Sequence, residues 1–578
     1  MKSGTTVAEV SKLYYLRTTV SVVSKLTIVM IINRKFWWII ALLWVVVLAF
    51  ALDLPLVSNA AKYAQVSREI TQSGDWINLS IAGEAYDQKP PLLFWVGALF
   101  FHLLGISTPV WKLASLLVSL LGIYATFRLG KLLYGQRAGE LAALFWAVSL
   151  GFLHFHNDIH TDTMLTDMVI FSIWQLAAFF KEKNPVHFYL GMAGTGLSML
   201  VKGPVGLVIP ATAAGLHLLL HKNWKEILHS RWIIGGVIIM AIITPALAGL
   251  YNQFGAEGIK FYFWTNNMGR ITGSYYGSNS DPSFYLHTSL FMLAPFTVFA
   301  FGGVAATLMR TIRAKGKFLS TDEFYTLGGL IPYFLLLSVA KTKNPHYLLP
   351  VMPLLMILAG SFAVALASGK TGRKTGKYVA LLNTGMTILI WTIIPLVTLW
   401  LFPEKRPLFW ILLLLMGSVM MLLRHAGKGI YRQVVTLTIT ALALVFTLNA
   451  SLFPAMGKFH SPLQAAATFN TKAATDEKIH CYLPPSRYWD LFFYSKNPGY
   501  YFKTEEELPA LLENNHDWVF TDDAGKEQIL AEMPEAEVVE TYRHKSLSSV
   551  SLPFLYPPTR EKKIKNRYLL HLNRPVDR

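Results

Sequence analysis

Residues 91–105 read PLLFWVGALFFHLLG, and whether they cross a membrane decides the arrangement of everything after them. An α-helix needs roughly 20 apolar residues to span the hydrocarbon core, so this run is short and suits an interfacial or re-entrant segment. Parity gives the stronger argument. Take the N-terminus as cytoplasmic, residues 36–54 as the first span and 110–129 as the second. If 91–105 stays on one side, Arg128, Lys131 and Arg137 fall inside. So do Lys181 and Lys183, then Lys222, Lys225 and Arg231, and then Arg310, Arg313, Lys315 and Lys317. The groups Lys370, Arg373, Lys374, Lys377 and Arg424, Lys428, Arg432 follow them. If 91–105 crosses, every one of these clusters lands outside. Basic residues gather in short cytoplasmic loops, so the segment is read as non-spanning.

The remaining spans are then 138–157, 163–180, 186–201, 203–220, 232–251, 284–308, 323–340, 345–367, 378–402, 407–423 and 433–454. The expected fold is a polytopic α-helical membrane protein of about 13 transmembrane helices with a small C-terminal soluble α/β domain. Composition agrees: of 578 residues, 53% are hydrophobic and only 15% charged. The formal charge of +18 does not indicate a nucleic-acid partner. From Ala455 onward there are 16 Lys and Arg against 17 Asp and Glu, so the excess lies in the short loops of the membrane part.

Three domains are expected. Residues 1–35, with Lys2, Lys12, Arg17, Lys25, Arg34 and Lys35, form a cytoplasmic or interfacial extension. Residues 36–454 form the transmembrane domain, with a large first outer loop at 55–109 whose polar part is 55–90. Residues 455–578 form an outer α/β domain. Strands are expected at 479–483, 518–521, 537–544 and 567–572, and helices at 505–513 and 525–533. The single cysteine, Cys481, excludes an internal disulfide.

This threading collects the chemically awkward residues on one face. Cations are depleted on the outer side, so each outer one asks for a reason. The first loop carries Lys62, Tyr63 and Arg68, then Tyr86-Asp87-Gln88-Lys89-Pro90-Pro91. Lys89, held extended before a proline pair, points an ammonium at the membrane boundary; snorkelling is the simpler alternative. His156-Asn157-Asp158-Ile159-His160-Thr161-Asp162 offers a metal set, or one catalytic carboxylate, or in Asp162 a helix N-cap. Lys202 sits at a Gly-Pro break between two apolar helices. Arg270 lies in the aromatic loop 261–277, and Lys341-Thr342-Lys343-Asn344-Pro345-His346-Tyr347 precedes a further helix. Arginine forks, lysine point charges and tyrosine hydroxyls at an interface suit a phosphate carried on a lipid. A carboxylate nearby would serve a hydroxyl acceptor, or orient one that is already nucleophilic.

Over about residues 36–454 the chain resembles the polyprenyl-phosphate-dependent GT-C glycosyltransferases, in particular the 4-amino-4-deoxy-L-arabinose lipid A transferase group related to protein O-mannosyltransferases. The resemblance rests on Lys62-Tyr63-Ala64, Arg68-Glu69-Ile70, Ser73-Gly74-Asp75-Trp76 and Tyr86-Asp87-Gln88-Lys89-Pro90-Pro91-Leu92. His160-Thr161-Asp162, Lys202-Gly203 and Tyr347-Leu348-Leu349-Pro350 add to it. It implies that Lys89 and Arg270 hold the donor phosphate, with Tyr63, Tyr86, Tyr347 and Lys62 lining the same cavity and Lys202, Lys341 and Gln88 nearby. Two departures stand out. Relatives carry an Asp where this chain has Asn59, which leaves Asp162 or Asp53 as the catalytic carboxylate, or an acceptor that needs no base. Relatives that bind a divalent metal use a Glu where this chain has Gln88, which argues against that metal; no other cofactor is implied.

The expected activity is transfer of a hexosyl or pentosyl group from a polyprenyl-phosphate donor to lipid A or another envelope glycolipid. The expected place is the periplasmic face of a bacterial inner membrane. A protein acceptor is the alternative within the same chemistry. A flippase or transporter, or a non-catalytic envelope assembly protein, are alternatives of other classes. A transporter would place its ionisable residues at mid-membrane between similar halves, whereas these gather at one face.

Overall fold

The structure is a computed structural model that describes residues 36–274, 279–318, 322–426, 429–484, 487–513, 516–547 and 550–572. The extension 1–35 lies outside the described residues. Helix α1 (Phe36–Leu52) enters the bundle. After it come α2 (Ser58–Ser73), a hairpin of β1 (Ser80–Ile81) and β2 (Glu84–Ala85), and α3 (Leu92–Leu104). The contested segment is thus a 13-residue helix. Its length of about 20 Å is short of the hydrocarbon thickness. It packs on α2 and on α4 (Thr108–Tyr134).

The first outer loop departs from its reading as a polar connection. Helix α2 buries Ala60, Ala61, Ala64, Val66 and Ile70, and with them Lys62, Gln65, Ser67 and Arg68. Polar side chains interleaved with small apolar ones masked the helical stripe, because their partners are distant in sequence.

The bundle continues through α5 (Gln136–Val148), α6 (Leu150–Phe155), α7 (Thr161–Glu182), α8 (Pro185–Lys202), α9 (Val205–Leu220) and the short α10 (Trp224–Ile227). The expected span 138–157 is broken at Ser149, whose hydroxyl caps the second piece by accepting from the Phe152 amide at 3.3 Å. Helix α11 (Arg231–Lys260) breaks at Gly255, where φ is 61°. The chain then winds through a π-turn (Phe261–Thr265) into α12 (Asn266–Thr272). The described part of the expected loop 261–277 is therefore largely helical.

The span expected at 284–308 is divided into α13 (Phe284–Met292) and α14 (Thr297–Arg313), with Pro295 at the break. Then come α15 (Tyr325–Val339), a 3₁₀ turn (Pro345–Val351) leading into α16 (Met352–Ala367), α17 (Arg373–Pro395), α18 (Pro407–Ala426), α19 (Ile430–Thr447) and the short α20 (Phe453–Gly457). Among the described residues, seven helical stretches are long and apolar enough to cross a membrane, and four shorter apolar helices accompany them.

The tail is an α/β unit: α21 (Ser461–Lys472), β3 (Ile479–Tyr482), α22 (Trp489–Tyr494), β4 (Pro498–Phe502), α23 (Leu508–Leu512), β5 (Trp518–Thr521), α24 (Asp523–Glu532), β6 (Glu537–His544) and β7 (Lys565–His571). The sheet order is β4-β3-β5-β7-β6, parallel at β4, β3 and β5 and antiparallel at β7 and β6. Central β3 and β5 are buried throughout, which is why they read as short apolar runs. Edge strand β4, PGYYF, opens on Pro-Gly and escaped the sequence reading.

Arg68 fastens this domain to the first outer loop. Its guanidinium donates to the carbonyls of Phe492, Phe493, Ser495 and Lys496 at 2.9–3.1 Å. These sit at the C-terminal end of α22, where a helix leaves carbonyls without internal partners. Tyr494 adds a second tie, accepting from the Leu56 amide at 2.8 Å and bonding the Thr108 hydroxyl at 2.7 Å. One buried core runs from the bundle into the tail through Phe101, Phe492 and Phe493.

Candidate active site

The N-terminus of α7 and the C-terminus of α8 meet at one ion pair. His160, not Asp162, is the N-cap of α7; Asp162 lies in the first turn and is 1% exposed. Its Oδ1 accepts from Lys202 Nζ, and its Oδ2 lies 3.9 Å from His346 Nε2. Lys202 is the last residue of α8, which Gly203 ends at φ 75°. Its ammonium also stands 4.2 Å from the centre of the Tyr347 ring. A charge pair this deep is held by such supplementary contacts, because desolvation opposes it. His346 stacks on His160 with ring centres 4.0 Å apart, and His160 bonds Asp158 at 3.1 Å.

Arg270 and Tyr347 form the opposite wall. The Arg270 guanidinium donates to the Tyr347 hydroxyl and, through Nε, to Asn266 Oδ1 at 3.1 Å. Asn344 also donates to that hydroxyl at 3.1 Å, so the phenolic proton itself is left to point elsewhere. The Tyr333 hydroxyl fixes the Tyr347 carbonyl at 3.0 Å. The Thr342 amide bonds the Arg270 carbonyl at 3.0 Å, tying α12 to the segment before the 3₁₀ turn.

Between these walls lies a cavity of about 180 Å³. Lys89, Lys202, Arg270, Asn266 and Tyr347 line its polar part; Val205, Val208, Leu336, Leu337 and Ala340 line the rest. Three cations and no carboxylate face it directly. Burial, reinforced by Arg270 and Lys202, pushes the Lys89 ammonium well below the usual lysine range.

Lys62 and Tyr86 form a neighbouring cluster in the first outer loop. The Lys62 ammonium donates to Gln88 Oε1 and stands 5.1 Å from the Tyr86 ring and 5.8 Å from the Trp489 ring of the tail. Burial and the Arg487 guanidinium lower its pKa to about 8, against a smaller opposing pull from Asp87. Tyr63, also buried, is pushed above the usual phenol range by desolvation and the Asp162 charge.

The divalent-metal position implied by the family resemblance does not fit these residues. The amide oxygen at Gln88 is already taken by an ammonium, and a second cation beside it would be repelled. Among the described residues no three His, Cys, Asp or Glu side chains form a metal cluster.

The structure thus gathers Lys89, Lys202, Arg270, Tyr347 and Asp162, with Tyr63 beside His160, and sets Lys62, Tyr86 and Gln88 next to them. Three expected residues are placed differently. Asp53 is exposed near the end of α1. Asn59 is half-buried in the first turn of α2, one turn before Tyr63. Lys341 is exposed, and its backbone bonds Ile271 and Asn279 while its side chain is not among the cavity's lining groups. Sequence reasoning missed His346, Asn266 and Tyr333. His346 directly precedes a chosen tyrosine and was the accessible signal; the other two sit in aromatic or apolar stretches that look like ordinary helix.

Three comparisons bear on this geometry. The fold is that of the GT-C glycosyltransferases: a crystal structure of ArnT from Cupriavidus metallidurans bound to undecaprenyl phosphate superposes with a TM-score of 0.70. The two share 19% identity over 94% of this chain and 99% of that one. The protein is accordingly a multi-pass membrane protein, and the resemblance read from its motifs is borne out. The family described as dolichyl-phosphate-mannose-protein mannosyltransferase matches residues 88–248. The undecaprenyl phosphate-alpha-4-amino-4-deoxy-L-arabinose arabinosyl transferase of Edwardsiella ictaluri (strain 93-146) is 27% identical over 60% of this chain. An uncharacterized protein of Aquifex aeolicus (strain VF5) is 24% identical over 59%. The chain spans 63% and 64% of the lengths of these two relatives.

Proposed function

We propose that this protein is a membrane glycosyltransferase that moves a sugar from a polyprenyl-phosphate carrier to an envelope glycolipid of the lipid A kind. The proposed place is the periplasmic face of a bacterial inner membrane. The observation that carries this reading is the two-sided cavity. A cationic wall of Lys89, Lys202 and Arg270 meets an apolar wall of Val205, Val208, Leu336 and Leu337, as a phosphate on a hydrocarbon chain requires. The names of the curated relatives favour a pentosyl group of the aminoarabinose type.

In this reading the bond from the sugar's anomeric carbon to the carrier phosphate breaks, and its electron pair leaves with the phosphate. Arg270 and Lys89 stabilise the growing negative charge, and the Tyr347 hydroxyl donates its remaining proton to a phosphate oxygen. The new bond forms to an acceptor oxygen. Asp162 is committed to Lys202, which limits it as a base and suits it to orient that ammonium. An acceptor that brings its own negative charge, such as a lipid phosphate, needs no base, in keeping with Asn59 standing where relatives have an acid.

The test is transfer by the purified protein from an undecaprenyl-phosphate-linked sugar to a phosphorylated lipid acceptor. Transfer by the native chain that is lost in Lys89→Ala supports the reading. Undiminished transfer in Lys89→Ala removes the phosphate clamp.

A further inference from the structure

A second cavity, of about 320 Å³, opens at the end of the bundle opposite the tail domain, between α17, α18 and α19. The tail touches the other end of these helices, where Arg560 donates to the Leu401 carbonyl at 2.6 Å. The volume falls at the lower end of ligand pockets, about 300–1,000 Å³. Its lining is unlike that of its surroundings. Arg424 from the last turn of α18 and Arg432 from the first turn of α19 line it, together with Gln433, Thr384 and Thr387. Among the described residues neither arginine makes an ion pair with a carboxylate.

Asn383 also lines the cavity. It lies ten residues into α17, or about 15 Å along the helix, and is 2% exposed. Its Nδ2 donates to Gln433 Oε1 at 2.8 Å, while Oδ1 is buried and has no partner among the described residues. A buried amide oxygen without a donor is destabilising, so its presence needs an explanation. The threonines supply no donor: Thr384, Thr387 and Thr436 each give their hydroxyl proton to a carbonyl one turn earlier in their own helix. The cavity's lining therefore combines two cationic forks with an unmet demand for a hydrogen-bond donor at Asn383. The flanking faces are apolar and exposed, with Leu381, Leu382, Ile388 and Leu389 on α17 and Leu414 and Leu422 on α18, as a bilayer-facing surface is.

We propose that this cavity binds an anionic glycerophospholipid, its phosphodiester between Arg424 and Arg432 and a headgroup hydroxyl donating to Asn383 Oδ1. The acyl chains then lie along the apolar faces of α17 and α18, and the lipid joins three helices whose other ends carry the tail domain. Charge alone makes the arginines attract any acidic lipid; the orphaned amide selects one with a free hydroxyl.

The experiment uses the full chain, purified in detergent and stripped of lipid, with binding read by native mass spectrometry and by the thermal midpoint. The probes are dioleoyl-phosphatidylglycerol, the equally charged but hydroxyl-free dioleoyl-phosphatidylmethanol, zwitterionic dioleoyl-phosphatidylcholine, and inorganic phosphate. Phosphatidylglycerol is expected to bind at least tenfold more tightly than phosphatidylcholine and several-fold more tightly than phosphatidylmethanol. The first preference should vanish in Arg424→Gln/Arg432→Gln and the second in Asn383→Ala. Equal binding of phosphatidylglycerol and phosphatidylcholine, or stabilisation by inorganic phosphate alone to the same degree, overturns the proposal. So does an unchanged preference in the arginine variant. Should either variant fail to fold, the four probes on the native chain decide by themselves.

Discussion

The two ends of the helical bundle are both rich in cations, yet they hold them in opposite ways. At the end away from the tail, Lys370, Arg373, Lys374 and Lys377 are exposed, and Lys183 and Arg310 have side chains more than half exposed. At the other end Lys62 is 8% exposed, and the Lys202 and Asp162 side chains are 11% and 2% exposed. Solvated charges cost little and set orientation in the membrane. Buried charges are costly unless something compensates them, and here they gather at or beside one cavity, among aromatic rings. The difference separates solvated loop cations from cations buried around the candidate site.

The largest effect should come from splitting the buried pair. Asp162→Ala leaves Lys202 without its carboxylate and is expected to destabilise the protein by about 3–5 kcal/mol. Thermal melting in detergent checks this, and Asp162→Ala/Lys202→Met should recover most of the loss without restoring transfer. With Arg270 stabilising the leaving phosphate as proposed, Arg270→Ala is expected to lower turnover by about 100-fold or more with the fold intact, read in the transfer assay. Removing an exposed cation such as Lys374 should change neither, and a comparable loss there would erase the distinction between the two ends.

Arg68→Ala withdraws several charge-assisted hydrogen bonds from the end of α22. It is expected to cost about 2–3 kcal/mol and to expose the tail to limited proteolysis before the bundle. Lys62 gives a smaller and pH-dependent effect. Its folded pKa, about 8, lies below its unfolded value near 10.5, so its charge opposes folding wherever both states are protonated. The penalty is full below about pH 8 and is relieved as pH rises toward 10.5. The thermal midpoint should therefore climb across that window, and Lys62→Met should flatten the climb. Asn59→Asp should change transfer less than twofold if the acceptor brings its own charge. A large gain would mean that the missing acid limits the reaction.

Much of this was legible in the sequence, for physical reasons that differ from one element to the next. The parity of basic loops set apart 91–105, and it is a short helix. Strands β5 and β6 were readable to the residue, and β3 and β7 nearly so, because apolar or alternating runs end at clear polar breaks. Lys89, Arg270 and Tyr347 were legible as charges and phenols beside membrane segments. What escaped depends on distance along the chain. Helix α2 hid because Lys62 and Arg68 are satisfied by Gln88 and by carbonyls more than 420 residues away. Trp489 reaches Lys62 from the tail, which no local pattern announces. Lys341 looked like Lys202 in sequence, but it sits on an exposed turn whose backbone makes the contacts.

The central claim, a sugar moved from a lipid phosphate by this cationic cavity, is tested most directly in cells lacking the gene. Mass spectrometry of their envelope lipids would be compared after restoring either the native chain or Lys89→Ala. The account expects one sugar to vanish from one glycolipid and its polyprenyl-phosphate donor to accumulate, with rescue by the native chain and none by Lys89→Ala. Rescue by Lys89→Ala equal to that of the native chain would contradict it.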